Sequence, residues 1–447
     1  MQPMDLEGST PRPRTLVLCF DGTGDSYDTK NTNIVRLFAA LEKDRSHEQL
    51  CYYQPGIGTY VSPNIMWSKA ASKIFKTIDY MFAWYLDEHI QGGYRFLMNN
   101  YNDGDKILIF GFSRGAYTAR CLAGMLDKVG LLPRSNDEQI SFAYQIYTDT
   151  STGSAEAAQG YKSTFCRSIQ IEFLGVWDTV SAVGWSNRTL PFSASERIVK
   201  RFRQALSLDE RRSKFKPNPW HIPIPDQREA QQNSEGYLAI QDFEAYEQRT
   251  TDVKEVWFAG CHTDVGGGSV LNDTEYILSN VTLTWMLNEL IEANTGIIFA
   301  QDLLAHQPAF KVITVPDTDQ NGAGLRGTIN APTSGDSKFT HRTGSSSRPS
   351  TIVSVQETSP EKDSTSPILD ALAGFSLYWI LEFIPMKHRV QDAQGRWQTK
   401  FYPNMGRPRV IEQPSPLFHS SVKLRQEKEK GGYKPRAKYT GEVRYVD

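Results

Sequence analysis

The sequence predicts an α/β fold, with a mostly parallel central sheet covered by helices on both faces. Three observations lead there. Short apolar runs recur and stop at glycine- or aspartate-containing turns. Helical apolar stripes separate them, as β-α-β crossovers require. One run leads straight into Gly111-Phe-Ser-Arg-Gly115, a strand–turn–helix signature.

The elements follow in chain order. Thr15 to Phe20 is an apolar run ended by Asp21-Gly-Thr-Gly24, a buried-strand signal. Asn33 to Leu41 is helical, with Ile34, Leu37, Phe38 and Leu41 on one face. Leu50 to Tyr53 is a second strand, closed by Pro55-Gly56. Lys106 to Phe110 is a third, entered from Asn102-Asp-Gly104, and the helix Ala116 to Leu126 follows the glycine motif. Ile169 to Trp177 and Val253 to Ala259 supply two more strands. Leu283, Met286, Leu287 and Leu290 form a helical stripe.

This places one catalytic core over residues 14–314, with helical lid or cap insertions over 56–90 and 186–250. The aromatic segment Ile65 to Leu86 suits the lining of an acyl groove. Residues 315–367 are rich in Ser, Thr, Gly and Pro and read as disordered. Residues 368–447 read as a helical, basic appendage packed on the core, with a helix over Ile368 to Ile384.

Composition excludes several classes. The 49 Lys and Arg against 51 Asp and Glu argue against a dedicated nucleic-acid binder. The five cysteines show no C-x-x-C spacing, which disfavours a disulfide framework or a zinc ribbon. No apolar leader or membrane-span run is visible, so a cytoplasmic location is expected. No cofactor or metal motif appears. Lys423 to Lys438 carries seven basic residues against two glutamates, a solvated face or a peripheral contact for an anionic membrane.

The chemistry centres on Ser113. A tight strand-to-helix turn exposes a serine hydroxyl above the carboxyl edge of a sheet, and the glycines at 111 and 115 let neighbouring backbone approach. The hydroxyl needs a base. Of the eight histidines, His262 follows a strand in Gly260-Cys-His262 and is the candidate. The base needs an acid, and Asp178 ends the run Phe173-Leu-Gly-Val-Trp177. The order Ser113, Asp178, His262 is that of an α/β-hydrolase. Asp264 is the rival acid, with a local turn cap as its simpler role. The oxyanion donors expected are the Arg114 N–H and the N–H of Gly22 or Thr23, with Asp21 able to stiffen that loop.

Five motifs occur together: Phe20-Asp-Gly-Thr23, Gly111-Phe-Ser-Arg-Gly-Ala116, Phe173-Leu-Gly-Val-Trp-Asp-Thr-Val180, Leu206-Ser-Leu-Asp-Glu-Arg-Arg212 and Val256-Trp-Phe-Ala-Gly-Cys-His-Thr-Asp-Val-Gly-Gly-Gly268. In this combination the chain resembles the catalytic domain of the type VI secretion phospholipase effector family, over residues 14–300. The resemblance implies an α/β-hydrolase fold, Ser113 as nucleophile, His262 as base and Asp178 as acid. It also implies hydrolysis of lipid esters of the phospholipase A type. It departs at Gln204, where a histidine would be expected.

The reading is a serine esterase or lipase acting on a lipid or small ester through an acyl-enzyme. The alternatives are a non-catalytic lipid- or protein-binding scaffold, or an amidase or peptidase with the same triad.

Overall fold

The central sheet has eight strands, and every pairing is parallel. The computed structural model describes residues 13–22, 27–56, 71–180, 197–220, 251–300, 310–316, 327–329, 350–374, 378–391, 397–429 and 432–447. In chain order the sheet strands are β1 (Thr15–Phe20), β2 (Gln49–Gln54), β3 (Lys106–Phe112), β4 (Ile171–Trp177), β5 (Val199–Ser207), β6 (Asp252–Phe258), β13 (Leu417–His419) and β15 (Arg444–Val446), and across the sheet they run β15-β13-β6-β5-β4-β3-β1-β2. The helices are α1 (Asn33–Ala40), α2 (Ala71–Asn100), α3 (Ser113–Val129), α4 (Ile140–Thr148), α5 (Ser154–Phe165), α6 (His262–Gly266), α7 (Leu278–Glu292), α8 (Pro360–Thr365), α9 (Tyr378–Phe383) and α10 (Ser420–Lys428).

The unbroken apolar character of β1 and β3 has a direct cause. Side chains alternate between faces along a strand, so a strand covered on both faces needs apolar residues at every position. Leu16, Leu18, Phe20, Ile107 and Ile109 pack with α2, α3 and α4. Val17, Cys19, Leu108, Phe110 and Phe112 pack with α1 and α7 on the other face. Helix α2 buries Leu86, Ile90, Tyr94 and Leu97, a three-to-four-residue stripe.

The five strands and the helices α1, α3 and α7 lie where the sequence places them. Four expectations need correction. Residues 186–250 are not wholly an insertion, because β5 inside them is a central strand between β4 and β6. Its charges hide it. Arg203 is buried because Glu289 at 2.5 Å and Asp252 at 2.7 Å neutralise it, and Gln204 because Glu255 accepts its bond at 2.7 Å.

Residues 368–447 are more than an appendage. They add β13 and β15 to the sheet, and Phe418, Val422 and Tyr433 share a core with Leu206, Leu208 and Trp257. Strands of three residues are too short to show a period. Among the described residues of Ile368 to Ile384, only α9 is helical, and Gly374 takes φ 69°, outside the right-handed helical region.

Parts of residues 315–367 are ordered. Strands β7 (Phe310–Pro316), β8 (Gly327–Ile329) and β9 (Ser350–Glu357) form an antiparallel sheet, and Asn288 bonds both the N–H and the C=O of Val355 at 2.9 Å. Strands β10 (Met386–Gln391) and β11 (Trp397–Tyr402) form a hairpin, and β12 (Val410–Ile411) pairs with β14 (Lys438–Tyr439). Of the expected lids, residues 57–70, 181–196 and 221–250 lie outside the described residues, as do 317–326 and 330–349 of the low-complexity stretch.

Candidate active site

Ser113, Asp178 and His262 each stand at the carboxyl end of a strand. Ser113 follows β3 and opens α3, Asp178 follows β4, and His262 opens α6 after β6. The sheet edge gathers residues that are 149 and 84 positions apart in the chain.

The turn at Ser113 is forced. Ser113 has φ 58°, a left-handed conformation unfavourable for a side-chain-bearing residue. The surroundings hold it there. A Cβ on Gly115 would lie 2.3 Å from the Asp21 carbonyl oxygen and 2.4 Å from that of Phe20. A Cβ on Gly111 would lie 2.5 Å from the Gly115 carbonyl oxygen. Both glycines therefore exist to let three backbone segments meet. Asp178 also has positive φ, 41°, and its N–H donates to the Ala205 carbonyl at 2.7 Å. This bend swings its carboxylate under His262.

The three side chains form one chain of bonds. Asp178 Oδ2 lies 2.6 Å from His262 Nδ1, and Ser113 Oγ lies 2.8 Å from His262 Nε2. Burial pushes the Asp178 carboxyl up, but the Arg409 charge and the His262 bond outweigh it and hold it well below the usual range. An ionised carboxylate only accepts, so Nδ1 carries the imidazole proton and donates it to Asp178. Nε2 is left to accept from the Ser113 hydroxyl. Burial lowers the His262 pKa, against the raising effect of Asp178, so the imidazole is neutral near pH 7.

The imidazole is also held by rings. Phe112 stacks on it with centroids 4.7 Å apart, and Phe215 meets it edge-on at 4.8 Å. The His262 backbone N–H donates to Glu210 Oε2 at 3.3 Å, and Glu210 is paired with Arg212 at 2.8 Å.

The remaining sequence candidates separate cleanly. Asp264 caps its own helix: its Oδ2 accepts from the Cys261 N–H at 2.8 Å and the Leu369 N–H at 3.0 Å. Burial raises its pKa to about 6. The position beside His262 Nδ1 belongs to Asp178. Asp21 stiffens the loop after β1, accepting from Thr32 Oγ1 at 2.7 Å, the Tyr53 hydroxyl at 2.7 Å and the Gly22 N–H at 2.8 Å. The Gly22 amide is thereby engaged by Asp21, which corrects the expectation that it faces an oxyanion. Thr23 lies outside the described residues. Arg114 is in the first turn of α3, at the positive end of the helix dipole.

Gln204, the departure from the family pattern, is fully buried on β5. It accepts from the Thr179 hydroxyl and donates to Glu255 at 2.7 Å and to the Asn218 carbonyl at 3.1 Å. It thereby braces the segment that follows Asp178.

Sequence reasoning missed Arg409. Its Nη1 donates to Asp178 Oδ1 at 2.6 Å and its Nη2 to Oδ2 at 2.9 Å, and its side chain is 1% exposed. It sits in Gly406-Arg-Pro-Arg-Val410, which carries no motif. Glu210 and Arg212 were visible as part of Leu206 to Arg212, without a role. Among the described residues, no three His, Cys, Asp or Glu side chains gather as metal ligands, and no helix is long and apolar enough to cross a membrane.

The chain is 29% identical to the uncharacterised protein YEL023C of Saccharomyces cerevisiae, over 89% of this chain and 77% of that one. A crystal structure of an uncharacterised protein from Pseudomonas aeruginosa is similar at 19% identity and a TM-score of 0.35, covering 64% of this chain and 46% of that one. The structure of the Tle1 effector bound to the VgrG spike from the type 6 secretion system is similar at 19% identity and a TM-score of 0.29, covering 59% and 52%. The chain thus spans about half the length of those two solved proteins. The profile described as "T6SS, Phospholipase effector Tle1-like, catalytic domain" matches residues 14–289, more than half of the sequence. The chain belongs to the Tle1-like phospholipase effector family, through that family's catalytic domain.

Proposed function

We propose that this chain is a serine hydrolase that cleaves carboxylic esters of lipids, in the manner of a phospholipase A. The observation that carries this reading is the unbroken relay from Ser113 Oγ through His262 to Asp178, with bonds of 2.8 and 2.6 Å. The family supports the lipid class of the substrate.

The chemistry follows from the proton positions. Ser113 Oγ attacks the ester carbonyl carbon while its proton passes to His262 Nε2. Asp178 stabilises the imidazolium that forms. The carbonyl oxygen becomes an oxyanion, and the first-turn amide of Arg114 at the positive end of α3 stabilises it. The intermediate collapses, the carbon–oxygen bond to the alcohol breaks, and His262 returns its proton to the leaving alcohol. Water then attacks the acyl-Ser113 ester with His262 as base. The acyl group leaves as the free acid and Ser113 regains its proton.

The test is a paired assay. Wild-type protein and Ser113→Ala are exposed to a fluorophosphonate probe and to a panel of p-nitrophenyl esters, diacyl phospholipids and matched amides. Labelling and fatty-acid release by the wild type alone are expected. Equal labelling of both proteins rules out Ser113 as the nucleophile, and amide turnover above ester turnover rules out the esterase.

A further inference from the structure

We propose that Arg409 is a positioning residue for the relay, its guanidinium fixing the plane and the charge of the Asp178 carboxylate beneath His262. The proposal rests on the reading of Ser113, His262 and Asp178 given above.

The argument starts from saturation. Asp178 is fully buried, and both its oxygens are occupied. Oδ1 accepts from Arg409 Nη1 at 2.6 Å and the Ser207 N–H at 2.9 Å. Oδ2 accepts from His262 Nδ1 at 2.6 Å, Arg409 Nη2 at 2.9 Å and Ser207 Oγ at 3.2 Å. Two parallel bonds from a planar fork fix a carboxylate plane in a way that a point charge does not. The fork is itself fixed. Nη1 also donates to the Ser207 carbonyl at 3.1 Å and Nη2 to the Phe215 carbonyl at 2.6 Å. Its backbone is pinned too, since the Lys438 N–H donates to the Arg409 carbonyl at 2.9 Å.

The clamp therefore comes from the C-terminal region, beyond the residues 14–289 that define the catalytic domain. The same carboxylate that receives the imidazole proton shares its charge with a buried cation. A bare aspartate would draw a proton onto His262 more strongly. The guanidinium offsets that pull and keeps the base neutral and receptive. Among the described residues, Arg212 and Glu210 also act on His262, and Lys216 faces Arg409. Burial and the Arg409 charge lower Lys216 to about 8, so the acid side of a pH profile is where Arg409 is read.

The experiment uses the full chain as wild type, Arg409→Met, Arg409→Lys, Asp178→Asn and the double variant Asp178→Asn/Arg409→Met. Fluorophosphonate labelling rates and kcat/KM on p-nitrophenyl butyrate are measured across pH, with circular dichroism to establish folding. Arg409→Met is expected to lose on the order of 10²-fold in rate, as a misplaced functional group does. Its acid limb should move up by about one pH unit, the effect of removing one nearby charge. Arg409→Lys keeps the charge, so its limb stays with the wild type while its rate falls. In the Asp178→Asn background the Met substitution should change the rate by less than about twofold, because the two residues act as one unit.

A folded Arg409→Met with the wild-type rate and limb overturns the proposal, and so do rate losses that multiply in the double variant. If Arg409→Met does not fold, Arg409→Lys decides: a wild-type rate overturns the proposal, and a reduced rate with an unmoved limb supports it. A wild type that shows no Ser113-dependent labelling instead removes the underlying triad, whatever Arg409 does.

Discussion

The ring of Phe112 lies stacked on the imidazole of His262, 4.7 Å between centroids, and fills the space that a side chain at Gly266 would need. A Cβ at Gly266 would fall 1.9 Å from Phe112 Cε2. Gly266→Ala must therefore push the ring, and the ring must push the base. The expected outcome is a folded protein whose fluorophosphonate labelling slows by on the order of 10²-fold. An unchanged labelling rate would show that the ring does not set the position of His262.

The acid limb of kcat/KM should lie below the ordinary imidazole value of 6.5. Burial lowers His262, and protonation of Nε2 is what stops the reaction. Activity is present above the folded-state value and is lost as pH falls through it. A profile for short-chain ester hydrolysis between pH 4 and 8 checks this, and a limb centred above pH 7 contradicts it.

Asp21 holds the loop after β1 by accepting from the hydroxyls of Thr32 and Tyr53 and from the Gly22 N–H. Asp21→Ala strands those donors in a buried site. Such a loss costs about 1–3 kcal/mol. Urea denaturation of both proteins reads the difference, and an unchanged midpoint removes the bracing role.

Glu357 gives a pH-dependent stability term of the opposite sign to that of a paired carboxylate. Burial first, and the Asp363 charge second, raise it from 4.5 to about 8 in the folded state. Its contribution is fully present below 4.5 and is lost as pH rises through about 8. Glu357→Gln should leave the thermal midpoint at pH 4.5 unchanged and raise it at pH 9. A Gln variant no more stable than wild type at pH 9 refutes this.

Removal of residues 368–447 should leave an insoluble chain. Leu206, Leu208 and Trp257 lose the cover of Phe418, Val422 and Tyr433, and the edge of β6 loses its partner β13. Expression of the shortened chain, followed by gel filtration, tests it. A soluble, folded monomer would make the C-terminal region dispensable to the fold.

Much of this was legible in the sequence because the relevant signals are local. The run Thr15 to Phe20 is apolar throughout because both of its faces are covered. Gly111 and Gly115 announce the turn because any Cβ there meets backbone. Strand β5 was illegible because Arg203 and Gln204 look solvent-facing until their partners on other elements are known. The choice between Gly22 and Thr23 as a donor stayed open for a different reason. The Asp21 carboxylate could brace the loop through several neighbouring amides, and only the folded loop shows that it takes the amide of Gly22.

The sequence by itself determined the strand–turn–helix at Ser113, the chain order Ser113, Asp178, His262 and the α/β class, because each rests on steric and periodic rules acting within a few residues. Only the tertiary structure put Asp178, and not Asp264, beside His262 Nδ1, drew β13 and β15 into the sheet, and brought Arg409 onto Asp178 from 231 positions away. A charge pair of that kind leaves no local pattern. Its two members are chosen by where separate elements end in space, and only burial makes each one require the other.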